Sequence, residues 1–147
     1  MPHSNTLLST AFYGLLGATS MAVCHANSLE VTINNIDTQR PGVIRVYLFT
    51  ADGFPKRHQQ ALQQQVFTPS QPVRVSFRQV PEVFAIKAFH DENNSDSLTK
   101  NWTGIFPAEG LAFSNGATLR FRPPSFAKAK LEYSQTSGSI QLKMIYP

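Results

Sequence analysis

Three separated stretches of the chain alternate apolar and polar residues with a period of two. SLEVTINNI, residues 28–36, sets Leu29, Val31 and Ile33 against polar neighbours. PVRVSFRQV, residues 72–80, sets Val73, Val75 and Phe77 against Arg74, Ser76 and Arg78. SIQLKMIYP, residues 139–147, carries Ile140, Leu142, Met144 and Tyr146 in the same rhythm. Successive side chains of a strand point to opposite faces, so this pattern fits strands with one face in a core. GVIRVYLF (42–49) and FAIKAFH (84–90) are nearly continuous apolar runs, as central strands are.

The connections complete an all-β expectation. DTQRPG, from Asp37 to Gly42, has turn chemistry and predicts a hairpin joining the first two strands. ADGFPKRHQQALQQQVF interrupts the rhythm. Pro55 at a first helical position and Ala61 to Val66 behind it predict one short helix, with Lys56, Arg57 and His58 as an exposed first turn. GLAFSNGA, TLRFR and the end of PPSFAKAKLEY read as further short strands, with turns at Asn115-Gly116 and Thr136–Gly138. The fold predicted is an antiparallel β-sandwich of about seven strands, immunoglobulin-like or transthyretin-like, forming a single domain over residues 27–147. Eleven Phe and only 15% charged residues exclude a disordered chain.

Residues 7–23, LLSTAFYGLLGATSMAV, are uncharged and largely apolar, with small residues Cys24 and Ala26 behind them. This layout predicts a signal peptide over residues 1–26, although MPHSN at its start holds no Lys or Arg. Val23 stands where a lipobox wants Gly, Ala or Ser, so lipid anchoring through Cys24 is not expected. Cys24 is the only cysteine, so the exported domain would rest on its core without disulfides. The expected location is the periplasm or the secreted fraction, with no transmembrane span in the mature chain. A net charge of +4 is ordinary for a soluble domain and supplies no nucleic-acid stripe.

The stretch FHDENNSDSLTKNWTGIFPAEGLAFSNGA is similar to a bacterial family catalogued as domain of unknown function 2141. The matching residues are His90, Asp91, Glu92 and Asn93; Gly104, Ile105, Glu109 and Gly110; and Phe113, Ser114 and Asn115. GVIRVYLFTADGFP and PPSFAKAKLEY resemble the family as well. Thr99 stands where the family's loop tends to end in Asp, and Phe106 precedes Pro107 where Ile-Pro is usual. The resemblance implies an exported β-sandwich and brings no established activity.

The polar loop 90–102 is where function is expected. Counted from Asp91, alternate positions Asp91, Asn93, Ser95, Ser97 and Thr99 carry side-chain oxygens, and calcium takes about six to eight oxygens. Asp91, Asn93, Ser95 and Thr99 are therefore the metal ligands to test, although Asp96 replaces the turn glycine and Trp102 the terminal Glu. His90, Asp91 and Glu109 include the residue types of an acid–base pair, and with Ser114 those of a triad. No Gly-x-Ser-x-Gly motif accompanies them, and the hydrolase reading ranks below the others. Asp91, Asn93 and His90 are equally suited to bracing a long connection. As a binding surface the loop would use His90, Asp91, Asn93, Asn101, Trp102 and Glu109, with a carbohydrate or another envelope component as partner. The function expected is a non-enzymatic exported binding or accessory module. A calcium-stabilised domain is the first alternative and a hydrolase the second, and no cofactor other than calcium is considered.

Overall fold

The computed structural model describes residues 26–100, 104 and 107–147. Residues 1–25, with Cys24 and most of the expected signal peptide, and Asn101, Trp102, Thr103, Ile105 and Phe106 in the loop, lie outside the described residues.

The alternating stretches are strands that bury their apolar rows. β1 (Ser28–Asn34) buries Leu29, Val31 and Ile33; β4 (Val73–Arg78) buries Val73, Val75 and Phe77. These two pair antiparallel, and β8 (Ser139–Lys143) joins the free side of β1 in parallel. The second sheet runs β3 (Gln63–Phe67), β2 (Val43–Phe49), β5 (Val83–Asp91), β6 (Leu111–Phe113), and β7 (Leu131–Glu132) pairs with the start of β5. Among the described residues eight strands thus form a two-sheet sandwich, antiparallel in every strand pairing except β1 with β8.

The inward rows of both sheets meet in one core that includes Val31 and Phe77 from the first sheet and Val46 and Ile86 from the second. Each such side chain contributes about 1.5–3 kcal/mol on burial, which accounts for a stable domain without disulfides. A second cluster, Tyr47, Phe49, Phe89, Leu111 and Phe113, lies on the outer face of the second sheet beneath Phe54, Leu98 and Leu119. That cover explains why β2 and β5 read as continuous apolar runs, since both of their faces are buried. Among the described residues no helix is long and apolar enough to cross a membrane.

Three local expectations are corrected. β1 and β2 do not form a hairpin, because the chain between them crosses from one sheet to the other. Asn35 at φ 62° turns it and donates from Nδ2 to Met144 O at 2.7 Å, and Ile36 enters the core. The helix expected near Pro55 is a 3-10 turn at His58–Gln60 followed by β3. Strand pairing overrides the helix preference of the glutamines, whose amides reach across to β4. Gln63 Nε2 donates to Arg78 O at 2.5 Å and Gln65 Nε2 to Ser76 O at 2.7 Å. Among the described residues the single α-helical turn is instead α1 (Phe126–Ala129). TLRFR forms no strand, and Phe121 in it is 90% exposed. The expected turns at Asn115-Gly116 and before β8 are present, with positive φ at Asn115, Gly116, Ser137 and Gly138.

Candidate functional site

Strand alternation in β5 separates the two residues at the head of the polar hallmark. Phe84, Ile86 and Ala88 face the inter-sheet core, so His90 lies on that side and Lys87, Phe89 and Asp91 on the outer face. His90 is fully buried at the end of the core. Its Nε2 lies 2.9 Å from Pro41 O, which can only accept, so Nε2 carries the proton. Nδ1 therefore accepts from the Tyr146 hydroxyl at 2.9 Å, and that hydroxyl in turn accepts the Asp37 amide at 2.9 Å. One imidazole thus ties the β1–β2 crossing to the segment that follows β8.

Asp91 is also fully buried, and its carboxylate organises the loop that follows it. Oδ2 accepts from Arg45 Nε at 2.5 Å and from the Asp96 amide at 2.9 Å; Oδ1 accepts the Ser95 amide at 3.0 Å. Burial alone would raise this carboxyl, but the guanidinium and the two amides hold it below the usual carboxylate range. Gly42, at φ 92°, packs so closely on the Asp91 carbonyl that a Cβ there would collide with it.

The far side of the loop is held by Glu109. Its Oε1 accepts the Glu92 amide at 3.0 Å and its Oε2 the Thr99 amide at 2.7 Å, so one buried carboxylate clamps both ends of residues 92–99. Inside the loop Asn93 Oδ1 accepts the Ser95 amide at 3.1 Å, Asn93 Nδ2 donates to Thr99 Oγ1 at 3.0 Å, and Ser95 Oγ donates to Ser97 O at 2.9 Å. Arg40 secures the outer edge, bonding Glu92 at 2.7 Å and Asp37 at 3.2 Å.

The structure therefore brings Asp91, Asn93, Ser95, Thr99 and Glu109 into one loop network. Their oxygens are engaged with loop amides, Arg45 and one another. Among the described residues no three His, Cys, Asp or Glu side chains converge as a metal cluster. His90, Asp91 and Glu109 each bond different partners and do not bond one another. Ser114 serves the fold: its Oγ donates to Ala129 O at 2.6 Å and accepts the Ile86 amide at 2.9 Å.

Sequence reading missed a second network on the same outer face. Lys87, in the middle of β5, is buried and donates from Nζ to Pro55 O at 3.0 Å and to His58 Nε2 at 2.7 Å. His58 was expected in an exposed turn but is buried, because the 53–60 turn folds over the sheet and stacks its ring on Tyr47 with 4.3 Å between centroids. With Nε2 accepting from Lys87, Nδ1 carries the proton and donates to Asp96 O at 3.0 Å. The Tyr47 hydroxyl completes the chain by donating to Asp96 Oδ1.

Burial pushes the Lys87 ammonium down to about 8, against the attraction of Asp96. His58 is lowered by burial and then by the nearby Lys87 charge, whereas Tyr47 is raised by burial and by its bond to Asp96. The signal available in the sequence was Lys87 itself, since a lysine inside an apolar strand must find buried acceptors. Among the described residues no buried side-chain nitrogen or oxygen lacks a hydrogen-bond partner.

A family model described as "Uncharacterized protein conserved in bacteria (DUF2141)" matches residues 31–141, a span that contains both networks. No curated protein and no solved structure matches the chain.

Proposed function

The chain belongs to the bacterial family DUF2141, and from that premise we propose that it is an exported, non-enzymatic binding or accessory module of the cell envelope or the secreted fraction. Loop 90–102 is its presenting surface. The observation that carries this reading is the full engagement of the hallmark side chains. Asp91 and Glu109 spend their oxygens on four loop amides and Arg45, and His90 spends both ring nitrogens on Pro41 and Tyr146. Groups so committed favour holding a surface in one shape over transferring protons at it. A pre-ordered polar loop costs little further entropy on binding.

Export rests on the uncharged, apolar run 7–23 and the small residues Cys24 and Ala26 behind it. Fractionation of expressing bacteria should place the shortened chain outside the cytoplasm, and retention of the full-length chain inside the cell would overturn export.

Trp102 is the only tryptophan, so its emission reports on the loop directly. Titration with a panel of cell-envelope and secreted glycans should shift that emission for at least one member, with the glycan recovered unchanged. A panel without effect would remove carbohydrate as the partner class. Release of new reducing ends would replace the binding reading by the hydrolase.

A further inference from the structure

β8 ends the first sheet and β6 ends the second. The edges are joined at one end, where Leu111 and Ile145 exchange two main-chain hydrogen bonds of 2.9 and 3.0 Å. No further β6–β8 pairing follows. A groove of about 700 Å³ opens there, lined by residues 111–113 and 141–143 of the two edges and by Ala117 and Leu119. Its size lies within the range of a ligand site, roughly 300–1,000 Å³.

Strand geometry decides what the lips of this groove offer. In a strand, the main-chain groups of alternate residues point to alternate sides. The Met144 amide donates to Asn34 O at 2.9 Å, and its carbonyl accepts from Asn35 at 2.7 Å. Met144, and by alternation Leu142 and Ile140, thus turn their main chain toward β1. Ile145 faces the other way, toward Leu111, and so do Lys143 and Gln141, which present N–H and C=O to the groove. On the opposite lip Leu111 faces Ile145, so Phe113, two residues on, faces the groove as well. Among the described residues no strand pairs with these edges.

The groove is therefore apolar in most of its side chains and polar along its main-chain lips. An acyl chain would fill the volume and leave those lips without partners, which is costly away from water. An extended peptide satisfies them with its own N–H and C=O groups while its alternate side chains enter the groove. Lys143 is the only charged side chain among the described lining residues, and it favours an acid on the incoming segment.

We propose that the β6–β8 groove takes an extended segment of another polypeptide as an added strand on β8, a segment that alternates apolar and polar residues and carries an acid near Lys143. This site is separate from loop 90–102 and stands or falls independently of it.

The test is selection of displayed peptides of about seven residues, a strand's length, on the whole chain, followed by titration of the best synthetic peptide. The selected sequences should alternate. N-methylation of the peptide amides that face β8 should weaken binding about tenfold or more, because side chains are kept and hydrogen bonds removed. Gln141→Pro removes a groove-facing N–H on an edge that tolerates proline, and should weaken binding to a similar degree with the urea midpoint unchanged. The N-methylated peptide gives the same information if that variant does not fold.

The proposal is overturned if no peptide is enriched, or if the N-methylated peptide binds as well as its parent. It is also overturned if dodecanoate fills the groove and no peptide competes with it. Dimerisation of the chain that Gln141→Pro abolishes would assign the groove to a second copy and overturn a foreign partner.

Discussion

Arg45 and Asp91 are diagonal neighbours across β2 and β5, and Arg45 Nε lies 2.5 Å from Asp91 Oδ2 at a carboxylate with no solvent exposure. The pair does more than neutralise itself. Through Asp91 the guanidinium fixes the Ser95 and Asp96 amides, so a strand pairing is converted into a loop conformation. Asp96, so placed, receives His58 and Tyr47. The two polar networks of the outer face are thus joined at one residue.

Asp91→Ala should destabilise the domain by about 3–5 kcal/mol, the usual consequence of removing one partner of a buried ion pair. In the same step the Asp96 amide loses its acceptor and the Ser95 amide keeps only Asn93 Oδ1 of its two. Asp91→Asn keeps the shape and should cost less, and urea unfolding at pH 7 measures both. The parent also carries an acid limb. Because the folded carboxyl titrates below its ordinary 3.8, its contribution is fully present above that value and is lost as pH falls through the folded pKa. The Asn variant should lack this limb. A cost below about 1 kcal/mol for the alanine variant would mean that the loop holds itself without Asp91.

Lys87 predicts a rise with pH of the same sign, in an alkaline window of its own. Its ammonium titrates at about 8 in the fold against 10.5 ordinarily, so between those values the unfolded chain binds more protons and stability rises with pH. The full interval corresponds to roughly 3 kcal/mol, at about 1.4 kcal/mol per pH unit. The window to use is pH 8 to 9.5, because above it Tyr47, raised in the fold, begins to oppose the gain. Lys87→Met should abolish this rise in the urea midpoint. His58, lowered in the fold, adds a separate loss of stability as pH falls below its ordinary 6.5, and His58→Gln should remove that loss. A parent midpoint flat from pH 8 to 9.5 would show that Lys87 stays charged without penalty.

Glu109→Ala should act locally. The amides of Glu92 and Thr99 lose their acceptor, while the β5 ladder beneath them keeps its own bonds. Hydrogen exchange at those two amides should accelerate about tenfold or more, for an opening made easier by at least about 1.4 kcal/mol, with β5 unchanged. Uniform acceleration across β5 would mean that the clamp carries global stability.

How much of this was legible follows from which interactions are local. β1 and β4 were readable because each shows one apolar row, and β2 and β5 because both faces are covered. The sheet assignment of β1 and β2 was not readable, since their partners β4, β8 and β5 are remote in sequence and DTQRPG looks like any hairpin turn. β3 was misread because Gln63–Gln65 favour a helix until an edge of β2 pairs with them. Asp91 and Glu109 stand out in the sequence by their polar context, and a bracing role is legible there for Asp91, whereas the clamp made by Glu109 depends on bonds to Glu92 and Thr99 that only the folded loop brings within reach. Tyr47, His58, Lys87 and Asp96 meet only after the 53–60 turn and loop 91–100 fold over the same face. Only Lys87, a charge in an apolar strand, gave notice of them.

The alternation of oxygens at Asp91, Asn93, Ser95 and Thr99 makes calcium the ligand to remove and restore. A bound ion at a hundred times its dissociation constant adds about 2.7 kcal/mol, which moves the melting point of a domain this size by several degrees. Asp91 faces Arg45 and two amides, and Asn93 and Thr99 face each other, so collecting these oxygens on an ion requires the brace to be dismantled first. The expected result is the same melting temperature in EDTA and in millimolar calcium, within about 1 °C, a shift well under that of 1 kcal/mol. A rise of several degrees in calcium that vanishes in Asp91→Ala would show that the loop rearranges around an ion, and would turn the brace into the apo form of a metal site.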